Sequence, residues 1–315
     1  MKPAIGPIGI FTTATEGIAF GRVQAIGGEV EDLGYDAIWV PETVGDALVT
    51  SSLLLAGTSR IAVGAGVSSV WSRDATAMNG AQQRLEHAFP GRFVLGLGVS
   101  HDFIVEGVRG HPSYARPYSR MSDYLDDMDA ARSASALMDQ VAEHGLGALT
   151  AGEVPVLPPR PPRLLAALGP RMLALSAGKA DGPLLYFQTP HHTKDVRAAL
   201  GPDAFIAVVQ MIAMEEDPAA EHAAARRMLE LYSCLPNFVA HFERLGFSAD
   251  EVDAGSERLV DAVFACGDAE LVASRVRDHL AAGADHVALQ VILPTWPLGV
   301  PHRHWRDLAD ALGTS

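Results

Sequence analysis

Three segments of the chain repeat one pattern. They are Val30-Glu-Asp-Leu-Gly-Tyr-Asp-Ala-Ile-Trp-Val40, Leu175-Ser-Ala-Gly-Lys-Ala-Asp-Gly-Pro-Leu-Leu185 and Leu280-Ala-Ala-Gly-Ala-Asp-His-Val-Ala-Leu289. Each reads as a helix end, a glycine cap, an aspartate turn and a buried strand, with Gly34, Gly178 and Gly283 suited to the left-handed conformation that closes a helix. The spacing between them predicts eight strands: Ile8–Phe11, Ala37–Val40, Ile61–Val67, Phe93–Gly98, Arg163–Leu168, Pro183–Phe187, Phe205–Met214 and His286–Val291. Helical patterns alternate with most of them, such as Asp46–Ala56, Asp74–Phe89 with Asp74 as N-cap, Pro170–Ala177 and Asp268–Ala282. Strand and helix in alternation imply a parallel sheet, and eight such strands close a (β/α)8 TIM barrel.

At 315 residues, 48% of them hydrophobic, the chain is long enough to form such a barrel as one domain spanning 1–315. Two intervals exceed a plain crossover, approximately 99–162 and 216–267, and read as insertions that shape a pocket. The first ends in Pro155-Val-Leu-Pro-Pro-Arg-Pro-Pro162, which suits either a linker or a rigid segment along the barrel wall. A net charge of -14 argues against nucleic acid or an anionic membrane as partner. The two cysteines, Cys234 and Cys266, have no CxxC or histidine spacing, so neither a disulfide framework nor a zinc site is indicated. With no signal-peptide pattern and no apolar run of about 18 residues, the expected location is the cytoplasm.

In a parallel barrel the chemistry gathers just past the C-terminal strand ends. The most informative such end is Phe89-Pro-Gly-Arg-Phe-Val-Leu-Gly-Leu-Gly-Val-Ser-His101, where an apolar strand runs through Gly96 and Gly98 to a hydroxyl and an imidazole. The two glycines read as places where a ligand approaches the backbone. His101 is the acid/base candidate, since its reference pKa of about 6.5 lies near neutrality. Glu42, directly after the second strand, is the other candidate; a loop histidine and an arginine-paired glutamate are the plain alternatives. Leu168-Gly169-Pro170 ends a strand and starts a helix whose free N–H groups could cradle phosphate. No third glycine follows Gly96-x-Gly98 at dinucleotide-fold spacing, which disfavours a Rossmann reading. His191-His192, His302-Arg-His304 and Asp126-Asp127-Met-Asp129 read as surface or capping residues and a solvated helix face, so no metal is expected.

Leu33-Gly-Tyr-Asp-Ala-Ile-Trp-Val-Pro-Glu42, Ile61-Ala-Val-Gly-Ala-Gly-Val67, Pro90–His101, Ala166-Ala-Leu-Gly-Pro170 and Ala180-Asp-Gly182, in that order and spacing, resemble the bacterial luciferase-like monooxygenase family. Gly96-Leu-Gly-Val-Ser-His101 and Arg258-Leu-Val-Asp-Ala262 resemble its coenzyme F420-dependent oxidoreductase branch. The resemblance implies a TIM barrel, a homodimer, and a deazaflavin or flavin bound at the C-terminal face. It also implies a non-proline cis peptide after the third strand, at Gly66-Val67. The cofactor would lie along Gly66, Val67, Ser68, Gly98, Val99, Ser100 and His101, with its phosphate near Leu168, Gly169 and Pro170. Hydride exchange between coenzyme F420 and a small organic substrate is the implied activity. An FMN-dependent two-component monooxygenase fed by a separate reductase, and a non-catalytic cofactor-binding protein, are the alternatives. The chain departs from the branch in having Pro41-Glu42-Thr43 where several relatives carry a histidine, and Ser100-His101-Asp102 where an Asn-Glu pair is common.

Overall fold

A computed structural model describes residues 2–43, 45–131, 160–215, 217–295 and 299–314. Residues 132–159 of the first long interval, with most of the proline-dense stretch, fall outside them. Nine parallel strands are present: β1 (Ile8–Phe11), β2 (Ala37–Val40), β3 (Ala62–Ser69), β4 (Phe93–Gly98), β5 (Arg163–Ala166), β6 (Gly182–Tyr186), β7 (Ala207–Ala213), β8 (Phe264–Cys266) and β9 (His286–Val291). β1 to β7 and β9 form the closed eight-stranded ring of a TIM barrel, with β6 pairing β7, β7 pairing β9 and β9 pairing β1.

β8 has no counterpart among the expected strands. On one edge of β7, residues 207–209 pair with β6 and residues 211–213 pair with β8, so β8 takes over where β6 leaves the wall. The helices before it, α7 (Pro218–Ser233), α8 (Pro236–Arg244), α9 (Ala249–Asp253) and α10 (Glu257–Val263), bury a second core around Phe187, Phe238, Phe242 and Phe264. That core belongs to the interval read as a pocket-shaping insertion.

The barrel strands are apolar on both faces, as parallel strands covered by helices must be. Phe11, Trp39, Val94, Leu164, Leu184, Val209 and Ala288 fill the interior. Their alternates Ile10, Ile38, Val63, Leu95, Leu165, Val208 and Leu289 pack outward against the helices. Space inside is tight. A Cβ on Gly64 would lie 2.2 Å from the Trp39 ring, and the Trp39 indole donates at 2.9 Å to His286 Nε2, whose Nδ1–H in turn donates to the Gly6 carbonyl.

The helix starts follow the sequence closely. Asp46 caps α2 (Ala47–Ala56), Asp74 caps α3 (Ala75–Ala88) and Asp268 caps α11 (Ala269–Ala281), each accepting first-turn backbone N–H groups. One cap differs. Gly34 and Gly283 adopt positive φ as the repeat requires, but Gly178 lies inside α5 (Pro170–Lys179), which runs on to Lys179, and the positive φ falls at Gly182 instead. The helix ends at Ala180 without a glycine cap, and at Gly182, the first residue of β6, a Cβ would stand 2.0 Å from the Phe205 carbonyl oxygen, so close backbone approach is what requires glycine there.

The acidic run on α4 (Pro117–Ala131) is more than a solvated face. Arg163, only 1% exposed, donates two hydrogen bonds to Asp129 at 2.9 and 2.8 Å, while Lys179 pairs with Asp126 at 2.6 Å. These contacts tie α4 to β5 and to the end of α5. Asp129→Ala removes the charge partner but leaves the Lys179 carbonyl accepting from Arg163. A destabilisation of about 2 kcal/mol is expected, below the range for a wholly severed buried pair. Thermal denaturation checks it, and an unchanged midpoint would remove the pair from this account.

Candidate active site

The third strand does not pair evenly with the fourth. Register is regular from Val63↔Phe93 to Ala65↔Leu95 and resumes, shifted, at Ser68↔Leu97, with a cis peptide at Gly66-Val67 in the interruption. The bulge turns the Val67 side chain across β4, and there the role of the β4 glycines becomes plain. A Cβ on Gly96 would lie 2.1 Å from the Ala65 carbonyl oxygen and 3.0 Å from Val67 Cγ1; one on Gly98 would lie 2.5 Å from Val67 Cγ2. Both glycines make room for the chain's own bulge. The bulge is a neighbour for these glycines that the sequence reading, which named only a ligand, did not include.

Val67, Gly98 and Ala166 lie side by side at the top of the barrel, and on the other side of the bulge Phe11 comes within 2.8 Å of the Gly66 Cβ position. Phe11 in turn meets the Tyr186 ring at 6.1 Å. The floor of the mouth is therefore apolar apart from Tyr186 and Gln290, the Tyr186 hydroxyl donating to Gln290 Oε1 at 2.8 Å.

Past β4 the chain turns through Ser100 at positive φ, then His101, and enters a π-helix over Phe103–Val108, a form frequent at functional sites. The β3 and β4 loops lock together. Trp71 Nε1 donates to the Val99 carbonyl at 2.9 Å, His111 Nε2 to the Trp71 carbonyl at 2.9 Å, and the Tyr114 hydroxyl to the Ser100 carbonyl at 3.1 Å. The Arg120 guanidinium sits 5.0 Å over Trp71. His101 is held differently. Its imidazole stacks on Phe103 at 6.2 Å and meets Phe238 of the second core at 5.9 Å, with no hydrogen bond to either ring nitrogen among the described residues. Desolvation lowers its pKa below 6.5, opposed by the nearby Asp102 carboxylate.

Glu42 does not meet His101. Its carboxylate, 3% exposed, takes Arg109 Nη2 at 2.9 Å from just beyond the π-helix. Glu42 Oε2, Arg109 Nε and the Ser68 hydroxyl are all buried without a hydrogen-bond partner. Nothing in the sequence pairs positions 42 and 109; only folding of the fourth loop brings them together.

Gly169 caps α5 with an open surround. The atom nearest to its Cβ position is Arg244 Nη2 of α8, at 3.9 Å, and Arg244 has no ion-pair partner among the described residues. Beside it, Gln188 Oε1 and His192 Nε2 at the start of α6 (Pro190–Leu200) and His241 Nδ1 of α8 are buried and have no hydrogen-bond partner among the described residues. The sequence reading found the helix start but not Arg244, which arrives from the second insertion. His191 is exposed, His302 pairs with Glu29, and His304 donates to the Met214 carbonyl, so these histidines serve the surface and the C-terminal helix.

A family model described as luciferase-like monooxygenase matches residues 7–286, nearly the whole barrel. The chain belongs to the luciferase-like monooxygenase family. A Mycobacterium tuberculosis protein, Rv3520c, whose name assigns it provisionally to the coenzyme F420-dependent oxidoreductases, is 31% identical over 172 residues, 51% of this chain and 49% of that one. This luciferase-like chain thus spans about half the length of that relative in the match. The 5,10-methylenetetrahydromethanopterin reductase of Archaeoglobus fulgidus is 26% identical over 266 residues, 79% of this chain and 77% of the reductase. Among solved structures, an F420-dependent secondary alcohol dehydrogenase in complex with an F420-acetone adduct superposes with a TM-score of 0.71 at 15% identity, covering 100% of this chain and 99% of that one. The long-chain alkane monooxygenase LadA superposes at 0.62 and 14%, covering 99% and 91%. At such identities both likenesses concern the fold of this luciferase-like chain.

Proposed function

We propose that this chain is an oxidoreductase that binds coenzyme F420 in the barrel mouth and exchanges hydride with a small organic substrate. The observation that carries this reading is the shape of the mouth. A flat apolar floor runs from Phe11 past the β3 bulge to Ala166, with the open start of α5 and the unpaired Arg244 guanidinium at hand for a phosphate. Relatives named for F420 support the choice of cofactor. The unpartnered Ser68, Gln188 and His241 atoms fit a bound group rich in polar edges.

When bound, the deazaflavin supplies the hydride-carrying carbon. The chain's own part is to hold the ring on Val67, Gly98 and Val99, to keep water out with Phe103, Phe238 and Tyr232, and to move a proton. Leu168, Gly169 and Pro170 hold the phosphate, and Gly66, Ser68 and Ser100 complete the cradle. We assign the proton to His101. With its pKa lowered by burial the imidazole is neutral at pH 7 and accepts a proton in the direction of substrate oxidation. Glu42 acts with Arg109 to set the loop on which His101 sits.

Calorimetric titration with F420, and separately with oxidised and reduced FMN, tests the reading. Micromolar or tighter F420 binding, about -8 kcal/mol, is expected. A preference for reduced FMN, with product formed only under oxygen, would replace it by the two-component monooxygenase reading. For His101→Ala, turnover on a substrate found by anaerobic screening is expected to fall at least about 100-fold with F420 affinity unchanged. The wild-type rate should decline with acid only below pH 6.5, as His101 takes up its proton. Equal turnover in the variant would move the base elsewhere.

A further inference from the structure

Gln290 is an unusual residue for its place. It follows His286 and Ala288 on the inward face of β9, is 3% exposed, and lies in the top layer of a barrel interior filled mainly by Phe, Trp, Val, Leu, Ala and Gly. Burying an amide among such residues costs stability unless its hydrogen bonds are made. One is made. The Tyr186 hydroxyl donates to Gln290 Oε1 at 2.8 Å, and the Tyr186 ring packs against that of Tyr232 with centroids 5.6 Å apart, so a polar pair reaches from the edge of the second core to the centre of the floor. Packing fixes its members. The Tyr186 ring is held by Phe11, Phe187 and Phe238, and the Tyr232 ring by Phe187 and Phe238. With Oε1 facing Tyr186, the two N–H groups of Gln290 have no partner among the described residues.

We propose that Gln290, oriented by Tyr186, hydrogen-bonds the pyrimidinedione edge of the bound cofactor ring, its amide N–H donating to a ring carbonyl. This rests on the reading that a deazaflavin or flavin occupies the mouth, and the edge concerned is common to both ring systems. An amide presents a donor beside an acceptor with one lone pair still free, which matches the ring's adjacent carbonyl and imide N–H. Tyr186 makes the match directional. By holding Oε1 it keeps the amide from rotating its donors away, and the Tyr232 ring packs against Tyr186.

The experiment is titration of Gln290→Leu, Gln290→Asn and Tyr186→Phe with F420, followed by isothermal calorimetry and by the visible absorbance of the bound ring, with thermal unfolding as the check on folding. Gln290→Leu is expected to weaken F420 about 10-fold and to abolish the wild-type absorbance shift while unfolding no earlier than wild type. Tyr186→Phe should retain part of both effects, and Gln290→Asn, whose amide is one carbon short, should fall between. Gln290→Leu that binds F420 within twofold of wild type with the wild-type spectrum overturns the proposal. If wild type binds FMN and not F420, the cofactor assignment fails separately, and the same variants titrated with FMN give the same supporting or overturning result.

Discussion

Gly96→Ala is expected to cost more than about 3 kcal/mol and to remove cofactor binding with it. The new Cβ would stand 2.1 Å from a backbone oxygen, that of Ala65, and 3.0 Å from Val67 Cγ1. A flexible side chain could swing aside; a carbonyl on the neighbouring strand moves only if β3 moves, and β3 carries the bulge on which the ring is proposed to lie. The variant should unfold many degrees below wild type and give no heat with F420. Gly80→Ala is the matched control. Gly80 lies in α3, exposed and with nothing within 4 Å of its Cβ position, so the substitution should stabilise by about 0.5–1 kcal/mol. If Gly96→Ala behaves like Gly80→Ala, the bulge does not fill the space described.

Acid should unfold this protein early. His241, His279 and His286 are each fully buried and neutral, their pKa values lowered by desolvation to about 4, about 3 and about 4. His279 lies between the Thr193 hydroxyl and Gln210 Oε1, His286 between Trp39 and Gly6, and His241 donates to the Phe187 carbonyl. In the unfolded chain all three take up a proton below pH 6.5, whereas in the folded chain they do not until about pH 4. Their contribution is therefore complete above pH 6.5 and is lost as pH falls towards 4, at about 1.4 kcal/mol per unit for each group, or about 4 kcal/mol per unit together. By pH 5 the loss is about 6 kcal/mol, comparable with the whole stability of an ordinary domain. Glu31 and Glu251, held down at about 2 by hydrogen bonds that outweigh desolvation at Glu31, add their share only below pH 4.5. Urea midpoints at pH 7.5, 6.5 and 5.5 check the slope, and a flat profile down to pH 4.5 would show that the three sites admit protons while folded.

The barrel was legible in the sequence because its signals are local. Asp46, Asp74 and Asp268 cap helices from within their own first turns, and apolar runs between turn residues mark strands wherever they pair. Strand Phe264–Cys266 escaped because three residues carry no period. Gly178 misled because only the approach of Phe205 to Gly182, more than twenty residues distant, decides which glycine must take the strained conformation. The site divided along the same line. Ser100 and His101 could be named because they follow a strand end, and Gly66 and Val67 through the family resemblance, whereas Arg109 on Glu42, Arg244 near Gly169 and Tyr186 on Gln290 are meetings of distant segments that no spacing encodes. The β4 glycines could be singled out, but their contact with Ala65 and Val67 of the bulge is likewise a meeting of separate strands.

The handover on β7 separates two tasks that one strand would otherwise combine. Lower down, the β6–β7 pairing closes the ring; higher up, β8 alone completes the rim, and it arrives on the segment that also brings Phe238, His241 and Arg244. The upper tier can consequently be lengthened, shortened or exchanged without cutting a hydrogen bond of the lower one. A scaffold built this way can change its guest by replacing a single cassette, residues 217–263, and keep its foundation.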